Sequence, residues 1–310
     1  MTFFDKEFKS STLGVFAIAS AAMLWSIDAL LRRNLYALPA LEIVFLEHFI
    51  GFVAISFLIF KNWAKLKNLS SKTWFSLVWV SLFGGVLGTL FYTMALGYIN
   101  YINLSVVVLL QKMQPLFAMI LASIVLKERL NKSFYFWASI ALIGGYFVTF
   151  PFGKIISIDG GKNLIASLFA LAAAFAWGSS TVMGKYSLKN LDTWIVTPVR
   201  LGITTLISGI GLLFIKTNTF NYGLTQEQWI SIIAIVISSG TVALGLYYFG
   251  LKFLKASQAT IVEMVWPLSA ICIDWFIFDK VLTISQLIGA IILLSGVAGV
   301  SRPTRNAIPQ

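Results

Sequence analysis

The sequence predicts an all-α polytopic membrane protein: ten transmembrane helices in two inverted five-helix repeats, with both termini in the cytoplasm. Three observations carry this prediction. The 310 residues are 58% hydrophobic and only 11% charged, with a mean hydropathy of +0.87, a composition that no soluble domain of this size could present to water. The chain also matches itself. At an offset of 152 residues, Ala21, Ala22, Trp25, Ser105, Pro115, Leu130 and Gly144 meet Ala173, Ala174, Trp177, Ser257, Pro267, Leu282 and Gly296. Finally, Lys and Arg crowd into alternate loops. Repetition is the signal to seek first, because overlooking it misreads the whole architecture.

A spanning helix needs about 20 nearly uncharged residues, at 1.5 Å rise across a core of roughly 30 Å. Such runs occur at 13–31, 43–60, 74–96, 104–126 and 134–152, then at 164–183, 194–215, 229–251, 259–278 and 284–300. The first repeat therefore occupies residues 1–152 and the second 153–310. The first run follows Lys6 and Lys9 as a secretory leader would, but its counterpart at 164–183 is internal, so it is expected to stay as a membrane helix. The third run matches the eighth at an offset of 155, where Trp74, Ser76, Gly85, Tyr92 and Leu96 meet Trp229, Ser231, Gly240, Tyr247 and Leu251. The fourth and ninth carry Pro115 and Pro267 at equivalent positions. A proline removes a backbone hydrogen bond and kinks a helix, so both are expected to be hinges.

The net charge of +11 would suggest nucleic acid in a soluble protein, but in a membrane protein the placement of each cation matters more. Alternate loops, counted from the N terminus, hold 15 cations, from Lys6 and Lys9 to Arg302 and Arg305; the other set holds six. The positive-inside bias places both termini in the cytoplasm. Five spans per half is an odd number, so the second copy enters from the opposite side. The loop charges agree: four cations follow span two and one follows span seven, whereas none follows span three and two follow span eight. Inverted repeats characterise secondary transporters, with the substrate near the midplane where the halves meet.

Lys112 and Arg200 lie inside predicted spans. Such a cation costs roughly 2.5 to 3.5 kcal/mol on insertion scales and needs a partner or a wet cavity. Matching depths pairs Glu47 with Lys112 and Arg200 with Glu263. His48, whose ordinary range spans neutral pH, sits beside Glu47 and offers a route for a coupling proton. Gln111 and Gln114 share a helix face, as do Glu263 and Trp266, and Thr197, Arg200, Thr204 and Ser208 form a polar stripe on span seven. Trp25, Tyr92, Trp177 and Tyr247 are expected to wall the cavity. Asp28 reads as an i, i+4 pair with Arg32 near the outer interface, apart from the central site. One Cys and one His exclude a disulfide framework and a multi-histidine metal site. The sequence also lacks a nucleophile beside a His and a cytoplasmic phosphate loop, so neither an enzyme nor a cofactor is expected.

The chain resembles the drug/metabolite transporter superfamily in its EamA-type, ten-span branch. The resemblance rests on Trp25 and Trp177, on Ala95-Leu96-Gly97-Tyr98, on the run from Ser105 to Pro115, on Leu126-Lys127-Glu128-Arg129-Leu130, on Gly144-Gly145, and on Arg200 and Pro267 in the second half. It covers residues 12 to 302. The chain departs from the pattern by extra residues in 97–103 and by Lys127, where Gly is common. The resemblance implies a multi-pass carrier of the plasma membrane that exports amino acids or other small polar metabolites by alternating access. Its partners would be a small-molecule substrate, the lipid bilayer and a coupling proton. Two readings compete: a cation-coupled exporter of lipophilic drugs, favoured by the aromatic residues, and a channel-like facilitator.

Overall fold

The computed structural model describes residues 3–35, 37–96, 110–150, 152, 161–214, 223–278 and 283–301, and every regular element among them is helical. In the first half these are α1 (Phe3–Leu31), α2 (Ala40–Ile55), α3 (Ser71–Trp79), α4 (Gly88–Leu96), α5 (Gln114–Leu121) and α6 (Lys132–Thr149). The second half has α7 (Gly161–Ser187), α8 (Thr193–Leu212), α9 (Gln226–Ile235), α10 (Ala243–Phe253), α11 (Ala256–Val262), α12 (Val265–Phe278) and α13 (Ile284–Ser301). Local signals place the starts. Asn131 accepts the Phe134 N–H at 2.8 Å ahead of α6, and Thr225 and Gln228 form a capping box on α9. Among the described residues, six segments are long and apolar enough to cross a membrane: Lys9–Asp28, Ser71–Ala95, Leu164–Ser187, Thr193–Leu212, Gln226–Phe253 and Ile284–Ser301. Leu213 and Phe214, 83% and 84% exposed, show the outward apolar surface that lipid would cover.

The two halves interdigitate. The most extensive pairings are α6 with α13, α1 with α10, α8 with α2, and α7 with α4, and each joins one half to the other. These pairings obey the repeat. The first helix of each half packs on the third of the other, the second helices pack together, and so do the fifth. Ser11 Oγ donates to the Ser301 carbonyl at 3.2 Å, and Gln258 Nε2 to that of Val300 at 2.9 Å, so the described ends of the chain lie at one end of the bundle.

π-helical turns interrupt the third helix of both halves, at Val80–Leu87 and Val236–Val242, equivalent under the 155-residue offset. Gly84 and Gly85 on the first of them, and Gly88 directly after it, let Ser180, Thr204 and Trp177 approach the backbone closely. A third π-turn, Ala122–Leu126, closes on Lys127, whose φ of 56° is left-handed. Glycine adopts this conformation without steric cost, whereas a residue with a Cβ does not. The turn aims Glu128 at the start of α11, where its carboxylate accepts the Ala256 N–H at 2.7 Å and the Ser257 hydroxyl at 2.7 Å. Lys127→Gly is expected to stabilise the protein by about 1 kcal/mol, read as a higher thermal midpoint in detergent. An unchanged midpoint would contradict the strain.

Candidate functional site

The stretches expected to be the fourth and ninth spans are broken at their polar residues. Turns at Lys112 and Met113 precede α5, and turns at Glu263 and Met264 separate α11 from α12. Pro115 and Pro267 follow these breaks and stand in the first turns of the helices that resume, rather than inside continuous helices. Discontinuous membrane helices free backbone groups and collect polar side chains, which is how transporters build substrate sites. Here a single hydrogen bond joins the two breaks: Gln114 Nε2 donates to Glu263 Oε2 at 2.8 Å. The other carboxylate oxygen accepts from Tyr247 OH at 2.7 Å, and Thr181 Oγ1 lies 2.5 Å from that phenol. Because the Tyr247 proton points to the carboxylate, Thr181 is the donor to Tyr247.

Lys112 and Arg200 form no ion pair with this junction. Lys112 Nζ lies 4.1 Å from the centre of the Trp266 ring, a cation–π contact. Arg200 Nη1 donates to Tyr248 OH at 2.9 Å, with its guanidinium 5.7 Å from that ring, while its Nε is buried with no partner. Each cation contacts a ring that neighbours a junction residue in sequence: Trp266 is three residues on from Glu263, and Tyr248 is next to Tyr247. The ion pairs among the described residues lie elsewhere: Arg32 with Asp28 and Glu47, and Asp192 with Lys65 and Lys252. Gln111, Lys112, Arg200, Glu263 and Trp266 all keep part of their accessible surface.

Aromatic pairs adjoin the junction from both halves. Trp25 and Tyr247 lie 5.3 Å apart at 50°, and Trp177 and Tyr92 lie 5.6 Å apart at 53°. The pairs are equivalent under the repeat, and each draws one ring from each half. Trp25 Nε1 donates to the Ser239 carbonyl within the second π-turn at 3.0 Å. Gly178, next to Trp177, lies against the Gln114 backbone.

Both expected ion pairs give way to other partners. Glu47 pairs with Arg32 at 2.9 Å, and Arg32 also donates to Asp28, whose other oxygen accepts from Ser239 Oγ at 2.6 Å. Depth matching cannot see this, because it ignores direction around the helix: α2 turns back beside the end of α1 and carries Glu47 to Arg32. Asp28 is thus linked to a proposed site residue, while its expected pairing with Arg32 is present. Arg200 takes the Tyr248 hydroxyl and Lys112 the face of Trp266, instead of the carboxylates expected for them. Thr204 is fully buried, donates to the Ser81 carbonyl at 3.3 Å and packs on Gly85, which makes it a helix-packing residue. His48 Nδ1 bonds the Val44 carbonyl one turn back at 2.8 Å. His48→Gln is accordingly expected to leave the pH profile of transport within about twofold of the wild type; a displaced profile would restore His48 as a proton carrier. Residues 97–103, the extra stretch, lie outside the described residues.

A polar lock missed by the sequence reading closes the lysine-rich end. Asp192 accepts from Lys252 at 3.0 Å and Lys65 at 3.3 Å, tying the start of α8 to the last turn of α10 and to the short helix Trp63–Lys67. These hydrogen bonds, from Lys252 first and then Lys65, hold the Asp192 carboxyl below its ordinary value of 3.8. A depressed carboxylate contributes stability above its unfolded value, and this is lost as pH falls through the folded one. Asp192→Asn is expected to lower the thermal midpoint slightly at neutral pH and low salt, with the difference vanishing in high salt. A salt-independent difference would contradict the ion network.

The EamA-like transporter family matches the chain twice, at residues 12–150 and 164–302, two segments that start 152 residues apart. The chain is 36% identical over 295 residues to the riboflavin transporter ImpX of Fusobacterium nucleatum, covering 93% of this chain and 97% of that protein. It is 24% identical to the pseudopaline exporter CntI of Pseudomonas aeruginosa, over 94% and 97% of the two chains. It is 23% identical to the uncharacterized transporter YoaV of Bacillus subtilis, over 90% and 94%. A solved crystal structure superposes with a TM-score of 0.74 over 94% of this chain and 98% of its own, at 19% identity, which shows a shared fold. Two family repeats over nearly the whole chain, together with the apolar helices, establish it as a multi-pass inner-membrane protein of the EamA-like transporter family.

Proposed function

We propose that this chain carries a flavin-type heteroaromatic metabolite, of the class of riboflavin, across the inner membrane by alternating access. The observation that carries the reading is the junction of two broken helices by Gln114 and Glu263, with a Trp–Tyr pair from each half adjoining it. Indole and phenol rings offer stacking faces to a planar ring system, and the junction offers hydrogen bonds to its polar edge. Whole-length likeness to a riboflavin transporter supports this choice of substrate over amino acids, which no named relative above is said to carry. The reading keeps ten membrane helices, inverted repeats and cytoplasmic termini, with the Lys65–Asp192–Lys252 lock at the cytoplasmic end. Two interdigitated, equivalent halves supply inward-open and outward-open states of similar energy.

Uptake into proteoliposomes tests this directly. Riboflavin entry is expected to saturate, to be inhibited by excess unlabelled flavin, and to be insensitive to amino acids and to lipophilic cations. Saturable entry of an amino acid, with none of riboflavin, would overturn the substrate class. The direction of net movement would follow from comparing oppositely directed gradients, with or without a pH difference to show proton coupling.

A further inference from the structure

The hydrogen-bonding capacity left unused at the junction has a definite chemistry. A carboxylate offers about four acceptor positions, and Glu263 has filled two of them, from Tyr247 and Gln114. The Lys112 ammonium rests on the Trp266 ring and makes no salt bridge among the described residues. Arg200 has engaged Tyr248 through Nη1 and leaves its buried Nε unpartnered. The free set is thus one carboxylate acceptor with two cationic donors near it, none closed onto another as an ion pair. Lys112, Arg200 and Glu263 all keep accessible surface, so their open positions can be met from a solute, and the set matches one that donates once and accepts twice.

A cyclic imide has that pattern: one N–H between two carbonyls. It forms the polar edge of the isoalloxazine ring, on the side away from the dimethylbenzene ring. We infer that Glu263 accepts the imide N–H of the substrate while Lys112 and Arg200 donate to its two carbonyls, with the aromatic pairs lying against the ring. This inference rests on the flavin reading above and goes further, because it fixes which edge of the substrate the site reads. A zwitterionic amino acid would satisfy the same charges, but most amino acids bring no planar ring to lie against Trp25 and Trp177. Sites that bond a substrate N–H reject analogues lacking it far more strongly than apolar pockets reject an extra methyl group.

The test compares riboflavin with riboflavin methylated at the imide nitrogen, by quenching of flavin fluorescence on titration with the purified full-length protein. Wild-type protein is expected to bind the methylated analogue at least tenfold more weakly. In Glu263→Ala the two flavins are expected to bind within about twofold of each other, since the acceptor that distinguishes them is gone. A merely structural role for Glu263 would weaken both ligands alike and leave their ratio unchanged. The wild-type comparison stands without any variant, so a Glu263→Ala protein that failed to fold would not rescue the inference. Equal wild-type affinities would overturn the imide assignment and leave flavin transport intact. Failure to bind or transport riboflavin at all would instead overturn the reading on which it rests.

Discussion

Glu263→Gln is expected to lower riboflavin transport by one to two orders of magnitude while the protein stays folded. The substitution keeps the shape of the side chain but exchanges one acceptor oxygen for a donor amide. That amide then faces either the Tyr247 hydroxyl or the Gln114 amide, both of which donate to the native carboxylate. It also removes the negative charge of the Gln114–Glu263 junction. Hydrogen bonds to a charged group contribute about 1.5 to 3 kcal/mol each, and 1.4 kcal/mol corresponds to a factor of ten. Initial rates in proteoliposomes, alongside gel filtration and a thermal melt, separate loss of function from loss of fold. An unchanged rate in folded protein would make Glu263 a structural residue only.

Gly144→Leu is expected to destabilise the fold most severely among single substitutions away from the site. A Cβ at Gly144 would meet the Leu293 backbone and the Gly289 carbonyl, and one at Gly296 would meet the Ala141 backbone. These atoms belong to α6 and α13, the pair that joins the fifth helix of one half to that of the other. Backbone cannot move aside as a flexible side chain can, so the helices must separate along their contact. Overpacking costs typically 1–3 kcal/mol, and a leucine against backbone is expected to reach about 3 kcal/mol or more, seen as loss of folded protein on gel filtration. Gly245→Ala is the matched control: nothing lies within 4 Å of its added Cβ, and it should be recovered folded in normal yield. Normal recovery of Gly144→Leu would contradict the close helix contact.

The repeat made much of the architecture legible. The offsets that align Trp25 with Trp177 and Tyr92 with Tyr247 also align the two Trp–Tyr pairs in space, and the change from 152 to 155 falls on the helices that carry the π-turns. The prolines marked real discontinuities, although these fall just ahead of Pro115 and Pro267. Lys127, where the resemblance calls for glycine, sits in the left-handed conformation that explains the preference.

Contacts between helices were harder to read. Hydropathy and residue spacing give depth along a helix and the face a residue occupies, but not which neighbour that face meets. Depth alone therefore pairs Glu47 with Lys112 and Arg200 with Glu263, and the structure gives these residues other partners. The interdigitated packing decides those partners: Glu47 meets Arg32 across the α1–α2 turn, and Gln114 reaches Glu263 between the broken helices. Asp192 escaped notice for a related reason. Its loop carries an ordinary exposed acid, and only the fold brings Lys65 and Lys252 to it.

The central claim is that one flavin site is exposed alternately to the two faces of the membrane. Counterflow tests it most directly, using proteoliposomes loaded with unlabelled riboflavin and diluted into a trace of labelled riboflavin. The account predicts transient accumulation of label above its equilibrium level, abolished or strongly slowed in Glu263→Gln. Flux that is linear in concentration, with no overshoot and no sensitivity to the internal flavin, would contradict it.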